Sequence, residues 1–111
     1  MTEAELQKAC VAMLDQSGLV HWRIPLGQAG MVGRKTGSRG ASSILGFPDL
    51  CGITSSGLFW AVELKTDKGK LRPAQVVWIE RLAQSGALVR VVRSIGEFAA
   101  FVSYLKSPDF Q

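Results

Sequence analysis

Three residues able to work on a metal ion or a phosphate stand close together in this chain. Thirteen residues separate Asp49 from Glu63, and Lys65 follows Glu63 at the second position. In an extended strand, residues two apart share a face, so Glu63 and Lys65 project together while Trp60, Val62 and Leu64 project the other way. Asp49 opens the preceding apolar run. If Ser55-Ser56-Gly57 is a three-residue turn, Thr54 pairs with Leu58 and Asp49 falls opposite Glu63. Directly opposed side chains share a face with Cβ atoms about 5 Å apart. A two-residue turn would set Asp49 against Val62 and separate the carboxylates, so the arrangement needs an odd-length turn or a bulge.

Two carboxylates so close repel each other, and a proton, a basic group or a divalent cation relieves the repulsion. Hard oxygen ligands with open positions suit Mg²⁺ or Mn²⁺, which keep waters and accept phosphate oxygens from a substrate. Lys65 beside such an ion can steer or help deprotonate an attacking water, or neutralise charge developing at phosphorus. These are sufficient parts for phosphodiester hydrolysis.

The elements that must position these groups follow from periodicity. Thr2 to about Gln16 reads as a helix, with Thr2 and Glu5 as a capping box and Leu6, Cys10, Met13 and Leu14 as its buried stripe. On it, Glu3 projects from the buried side, whereas Glu5 aligns with the more solvated Ala9, Ala12 and Gln16. Leu19 to about Leu26 reads as a strand, closed by Pro25 or placed by it at an edge. The stretch from Gly27 to Gly46 is rich in Gly and Ser and reads as a flexible basic loop. Asp49–Thr54 and Leu58–Lys65 read as strands joined by the turn. Pro73 opens a helix whose apolar stripe is Val76, Val77, Ile79, Leu82 and Ala83. A strand from Ala87 to Arg93 and a helix capped by Ser94, running to about Lys106, complete the order α-β-β-β-α-β-α. The unit from Leu58 to Arg93 predicts a parallel crossover.

Composition bounds the rest. The 111 residues, 47% apolar and 20% charged, suit a single domain spanning 1–111 rather than a disordered tail. Unbroken apolar runs such as Leu58 to Val62 are far short of the roughly 20 residues a membrane helix needs, and no signal peptide is readable. Cys10 and Cys51 form no CxxC pair and read as free, buried thiols in a reducing, cytoplasmic setting. The net charge of +4 is a mild bias toward polyanions. Its placement says more: Arg34, Lys35 and Arg39 punctuate the Gly-rich loop, while Lys68, Lys70 and Arg72 follow Lys65. Both groups are expected to meet a phosphate backbone. Gly33-Arg34-Lys35-Thr36 misplaces the lysine of a phosphate-cradling loop, so no nucleotide cofactor is expected. His21 reads as a strand residue rather than a ligand, and Trp22, Trp60 and Trp78 as core or interface aromatics.

Gly46-Phe47-Pro48-Asp49 with Glu63-Leu64-Lys65 resembles the PD-(D/E)xK nuclease signature. The stretch VELKTDKGKLRPAQVVWIERLAQSGALVRVVRS is similar to one branch of that superfamily, the VRR-NUC domains: an E-x-K strand, a basic turn, a Pro/Ser-x-Gln helix start and a Gly-led final strand. The resemblance runs from Glu3 to about Glu97 and implies an α/β, restriction-endonuclease-like core, a four-stranded mixed sheet flanked by helices. It further implies that Asp49, Glu63 and the backbone carbonyl of Leu64 bind Mg²⁺ or Mn²⁺, that Lys65 acts on the water, and that Gln75 supports the site. The family also carries a glutamate on the first helix, which Glu3 fits better than Glu5. The activity implied is metal-dependent endonucleolytic cleavage of DNA, in stand-alone members by homodimers on branched DNA such as four-way (Holliday) junctions. The rivals are a non-catalytic nucleic-acid-binding module and a plain duplex endonuclease.

Overall fold

The first helix, α1 (Glu3–Ser17), begins where Thr2 and Glu5 cap each other: the Glu5 N–H donates to Thr2 Oγ1 at 3.1 Å and the Thr2 N–H to Glu5 Oε1 at 2.8 Å. It ends at Gly18, whose φ of 81° is a left-handed conformation that L side chains disfavour. Strand β1 (Val20–Arg23) follows, then β2 (Leu50–Ile53), β3 (Phe59–Leu64), helix α2 (Pro73–Gln84), β4 (Leu88–Val92), helix α3 (Ile95–Leu105) and a 3₁₀ turn at Pro108–Phe110. The computed structural model describes residues 1–24 and 44–110. Arg34, Lys35 and Arg39, the Gly27–Gly46 stretch up to residue 43, and Pro25 and Leu26 lie outside the described residues.

The predicted order α-β-β-β-α-β-α is the observed one, and the sheet runs β1-β2-β3-β4. β1–β2 and β2–β3 are antiparallel and β3–β4 parallel, so the sheet is mixed. Strand ends are shorter than their sequence patterns. β4, expected to reach Arg93, stops at Val92 and leaves Arg93 outside the ladder.

The two sheet faces differ. Leu50, Trp60, Val62, Leu64 and Val92 pack with Leu6, Cys10 and Leu14 of α1 and with Phe98, Phe101, Val102 and Leu105 of α3 into one apolar core. Gly52 makes room for it. A Cβ there would lie 2.0 Å from the Val20 carbonyl oxygen and 2.6 Å from the Trp60 ring, so only glycine lets the indole lie across the strand. His21 is a strand residue as expected, and it ties β1 to α1 through Asp15, with Nε2 and Oδ1 2.9 Å apart.

Helix α2 lies against β4 on the opposite face. Here the expected stripe needs correction. Val76 and Val77 are 37% and 52% exposed, and no residue of α2 is buried. Trp78, Ile79 and Leu82 are the half-buried apolar positions. The helix has a single packing side, and the face it covers carries the polar pair of β3 instead of an oily core. Among the described residues, no helix is long and apolar enough to cross a membrane.

Candidate active site

The turn between β2 and β3 has the odd length the sequence required. The Thr54 N–H donates to the Leu58 carbonyl at 2.9 Å, and the ladder continues through Gly52↔Trp60 and Leu50↔Val62. One step further along that register, Asp49 stands opposite Glu63. Because Thr54 and Leu58 are a hydrogen-bonded pair, every second pair along the ladder is too, and Asp49–Glu63 falls on a non-bonded, closely spaced one.

The next bonded pair would join Pro48 to Leu64, and here the ladder is replaced. Proline has no N–H to give the Leu64 carbonyl. The Leu64 N–H turns instead to the Asp49 side chain, donating to Oδ2 at 2.9 Å. One strand residue sends its N–H and C=O toward the same neighbour, so the Leu64 carbonyl lies on the Asp49 side with no strand donor opposite it. The β1 edge holds the same aspartate from behind, the Ile24 N–H donating to the Asp49 carbonyl at 3.0 Å.

Glu63 is 2% exposed and its Oε1 has no hydrogen-bond partner. Burial, and then the hydrogen-bonded and charged Asp49 beside it, push the Glu63 carboxyl up to about 9; Lys65 pulls the other way and Glu3 adds to the rise. The four predicted groups thus act on one point. Lys65 is itself buried, and Glu3 reaches the site from α1 through its charge while remaining exposed. Glu5 is spent on the capping box, which leaves Glu3 as the helix carboxylate that bears on Glu63.

A buried carboxyl oxygen without a partner, beside a second carboxylate and an available carbonyl, is a set of hard donors that fits a divalent cation. Among the described residues no three His, Cys, Asp or Glu side chains group closely enough to enclose a metal.

Gln75 is half-buried at the start of α2, and its Oε1 accepts the Arg72 N–H at 2.8 Å. Its amide oxygen is thus committed to starting the helix. The helix start is set against the aspartate's own loop. Gly46, at φ 88°, comes so close to Ala74 that a Cβ would lie 2.5 Å from the Ala74 carbonyl carbon. Phe47 packs edge-on against Trp78, ring centres 5.1 Å apart. The G-F-P-D segment therefore docks α2 as well as supplying a carboxylate. Lys68, Lys70 and Arg72 are all exposed on the turn between β3 and α2.

A profile of the VRR-NUC domain matches residues 1–95 of the chain. The chain belongs to the VRR-NUC family. A solved structure described as a VRR_NUC domain protein superposes with a TM-score of 0.72 at 21% identity, covering 95% of this chain and 88% of the other. That likeness carries the fold. No curated protein matches the chain. Membership of the VRR-NUC family gives the chain a nuclease-type function, and of the residues that carried the resemblance the fold sets Asp49 beside Glu63 and Leu64 at the carboxyl end of β3, with Lys65 next in the chain.

Arg93 is a residue that sequence reasoning passed over. Its Nη1 donates to the Thr66 carbonyl at 2.8 Å and to the Gly69 carbonyl at 2.7 Å. The available signal was its place just past β4, beside the carboxyl end of the E-x-K strand, where α/β sheets put their ligand sites.

Proposed function

We propose that this VRR-NUC domain is an endodeoxyribonuclease dependent on Mg²⁺ or Mn²⁺ that cuts branched DNA, such as four-way (Holliday) junctions, as a homodimer. The observation that carries the reading is the opposed Asp49–Glu63 pair with an unpartnered, buried Glu63 oxygen. Asp49, Glu63 and the Leu64 carbonyl are the groups that would hold the ion. When bound, the cation neutralises the paired carboxylates and polarises the scissile phosphodiester.

The chain's own groups do the rest. Lys65, buried next to Glu63, orients the attacking water and offsets charge on the phosphorus centre. Glu3 adds negative charge from α1, and the Gln75 amide supports the pocket from α2. Lys68, Lys70 and Arg72, with Arg34, Lys35 and Arg39, contact backbone phosphates, so binding weakens steeply with salt and follows shape more than sequence. Two cuts on a branched substrate require two such sites, which a pair of chains supplies. The buried free thiols Cys10 and Cys51 suit a reducing cytoplasm.

The test is cleavage of labelled four-way junction, flap and linear duplex with Mg²⁺, Mn²⁺ or EDTA, using the wild type, Asp49→Asn and Lys65→Ala. Both variants are expected to lose at least about a hundredfold in rate, and EDTA to abolish cutting. Retained cutting by both variants, or activity in EDTA, overturns the metal-site reading. Binding without cleavage by the wild type leaves a non-catalytic module, and equal cutting of linear duplex leaves a plain duplex endonuclease. Light scattering decides the dimer.

A further inference from the structure

Lys65 is 8% exposed, yet it is an ammonium-bearing side chain at the end of a strand. A lysine so placed normally extends into water. What encloses it is the turn that follows. A Cβ built on Gly69 would meet the Lys65 Cδ at 3.5 Å, so the Gly69 backbone forms a wall along the lysine stem. The turn closes on itself through the Gly69 N–H to the Thr66 carbonyl, 3.1 Å. It is otherwise exposed at Asp67 and Lys68 and would be free to lift away.

Arg93 prevents this. It enters from the neighbouring parallel strand, and both hydrogens of one guanidinium nitrogen are used, one on each end of the turn. The residue before it, Val92, accepts the Lys65 N–H at 3.0 Å. Backbone and turn on the two sides of Lys65 are therefore both held from the Val92–Arg93 segment.

We propose that Arg93 is a positioning residue for DNA cleavage: it clamps the Thr66–Gly69 turn over Lys65 and so keeps the Lys65 ammonium beside Glu63. The inference rests on the nuclease reading for its catalytic consequence, while its structural content is testable without activity. The substitutions are Arg93→Met, which keeps the stem and removes the donors, and Arg93→Lys, which retains N–H donors.

The first readout is the rate of lysine acetylation, followed by peptide mass spectrometry. In the wild type, Lys65 is expected to label at least about tenfold more slowly than Lys68 and Lys70, and in Arg93→Met to approach their rate while Cys10 and Cys51 stay unreactive. Arg93→Lys is expected to restore protection. Unchanged Lys65 protection in folded Arg93→Met overturns the proposal whether or not the protein cuts DNA. Should Arg93→Met unfold, Arg93→Gln, whose shorter amide reaches a single carbonyl, is read by the same criterion.

The second readout is kinetic. Arg93→Met is expected to lower kcat about 10- to 100-fold with KM within about twofold. In a Lys65→Ala background the same change should cost no more than about twofold, because the group it positions is gone. An equal loss in both backgrounds shows that Arg93 acts elsewhere and overturns the proposal. A wild type that cuts no DNA refutes the nuclease reading and leaves the labelling result to decide the clamp.

Discussion

Asp49 faces Glu63 across a hairpin, and the same aspartate accepts the N–H of Leu64, the residue after its opposite number. One side chain thus takes over the hydrogen bond that Pro48 would otherwise have received, and ends the β2–β3 ladder at the place where two acids converge.

That convergence makes the metal-free protein sensitive to alkali. The Glu63 carboxyl is raised from 4.5 to about 9 in the folded chain. The folded state therefore holds a proton that the unfolded state has released. The stability this contributes is complete below about 4.5 and is lost as pH rises toward about 9. Urea denaturation in EDTA across that window should show stability falling with pH, and Glu63→Gln should flatten the slope. Mg²⁺ or Mn²⁺ should bind with release of a proton, detectable by titration in buffers of different ionisation heat.

Pro48→Ala tests the Leu64 carbonyl. Alanine restores an N–H opposite that carbonyl, and a hydrogen bond is worth about 1 kcal/mol. Divalent-metal affinity is expected to fall about fivefold by calorimetry. Unchanged affinity would remove the carbonyl from the ligand set.

Gly52→Ala should be among the most damaging substitutions outside the site. Its Cβ would overlap the Val20 carbonyl oxygen at 2.0 Å and the Trp60 ring at 2.6 Å. Overpacking against backbone and a buried indole is expected to cost at least about 2 kcal/mol, measured by urea denaturation.

Both thiols are expected to be bystanders to the chemistry. Burial pushes Cys10 and Cys51 up to about 11, with the Trp22 indole pulling Cys51 slightly back. A disulfide-exchange reagent should leave the native protein unmodified and titrate both thiols on unfolding, and Cys51→Ala should retain nuclease activity.

The carboxylate pair was legible in the sequence because a strand has only two faces. Once the turn is taken as Ser55 to Gly57, parity alone sets Asp49 against Glu63. The capping residues Thr2 and Ser94 were legible for the same local reason. The stripe on α2 was not. Val77 and Trp78 are both apolar, and only the neighbour that the helix packs on decides that Val77 is 52% exposed while Trp78 meets Phe47. Arg93 was hidden by distance, since its carbonyl partners lie 27 and 24 residues earlier and a lone arginine has no periodicity. Glu3 was readable as to side and not as to reach: helical facing turned it toward the sheet, but its influence on Glu63 depends on how α1 crosses that sheet.

The parallel pairing of β3 with β4 has a consequence for synthesis. Asp49 and Glu63 leave the ribosome on a hairpin that can close at once, whereas Val92 and Arg93, which hold Lys65 and its turn, emerge some thirty residues later across a helical crossover. A nascent chain therefore carries both acids before it has a fixed lysine. A chain that ends before β4 is therefore expected to hold its two acids in place while the Thr66–Gly69 turn stays loose.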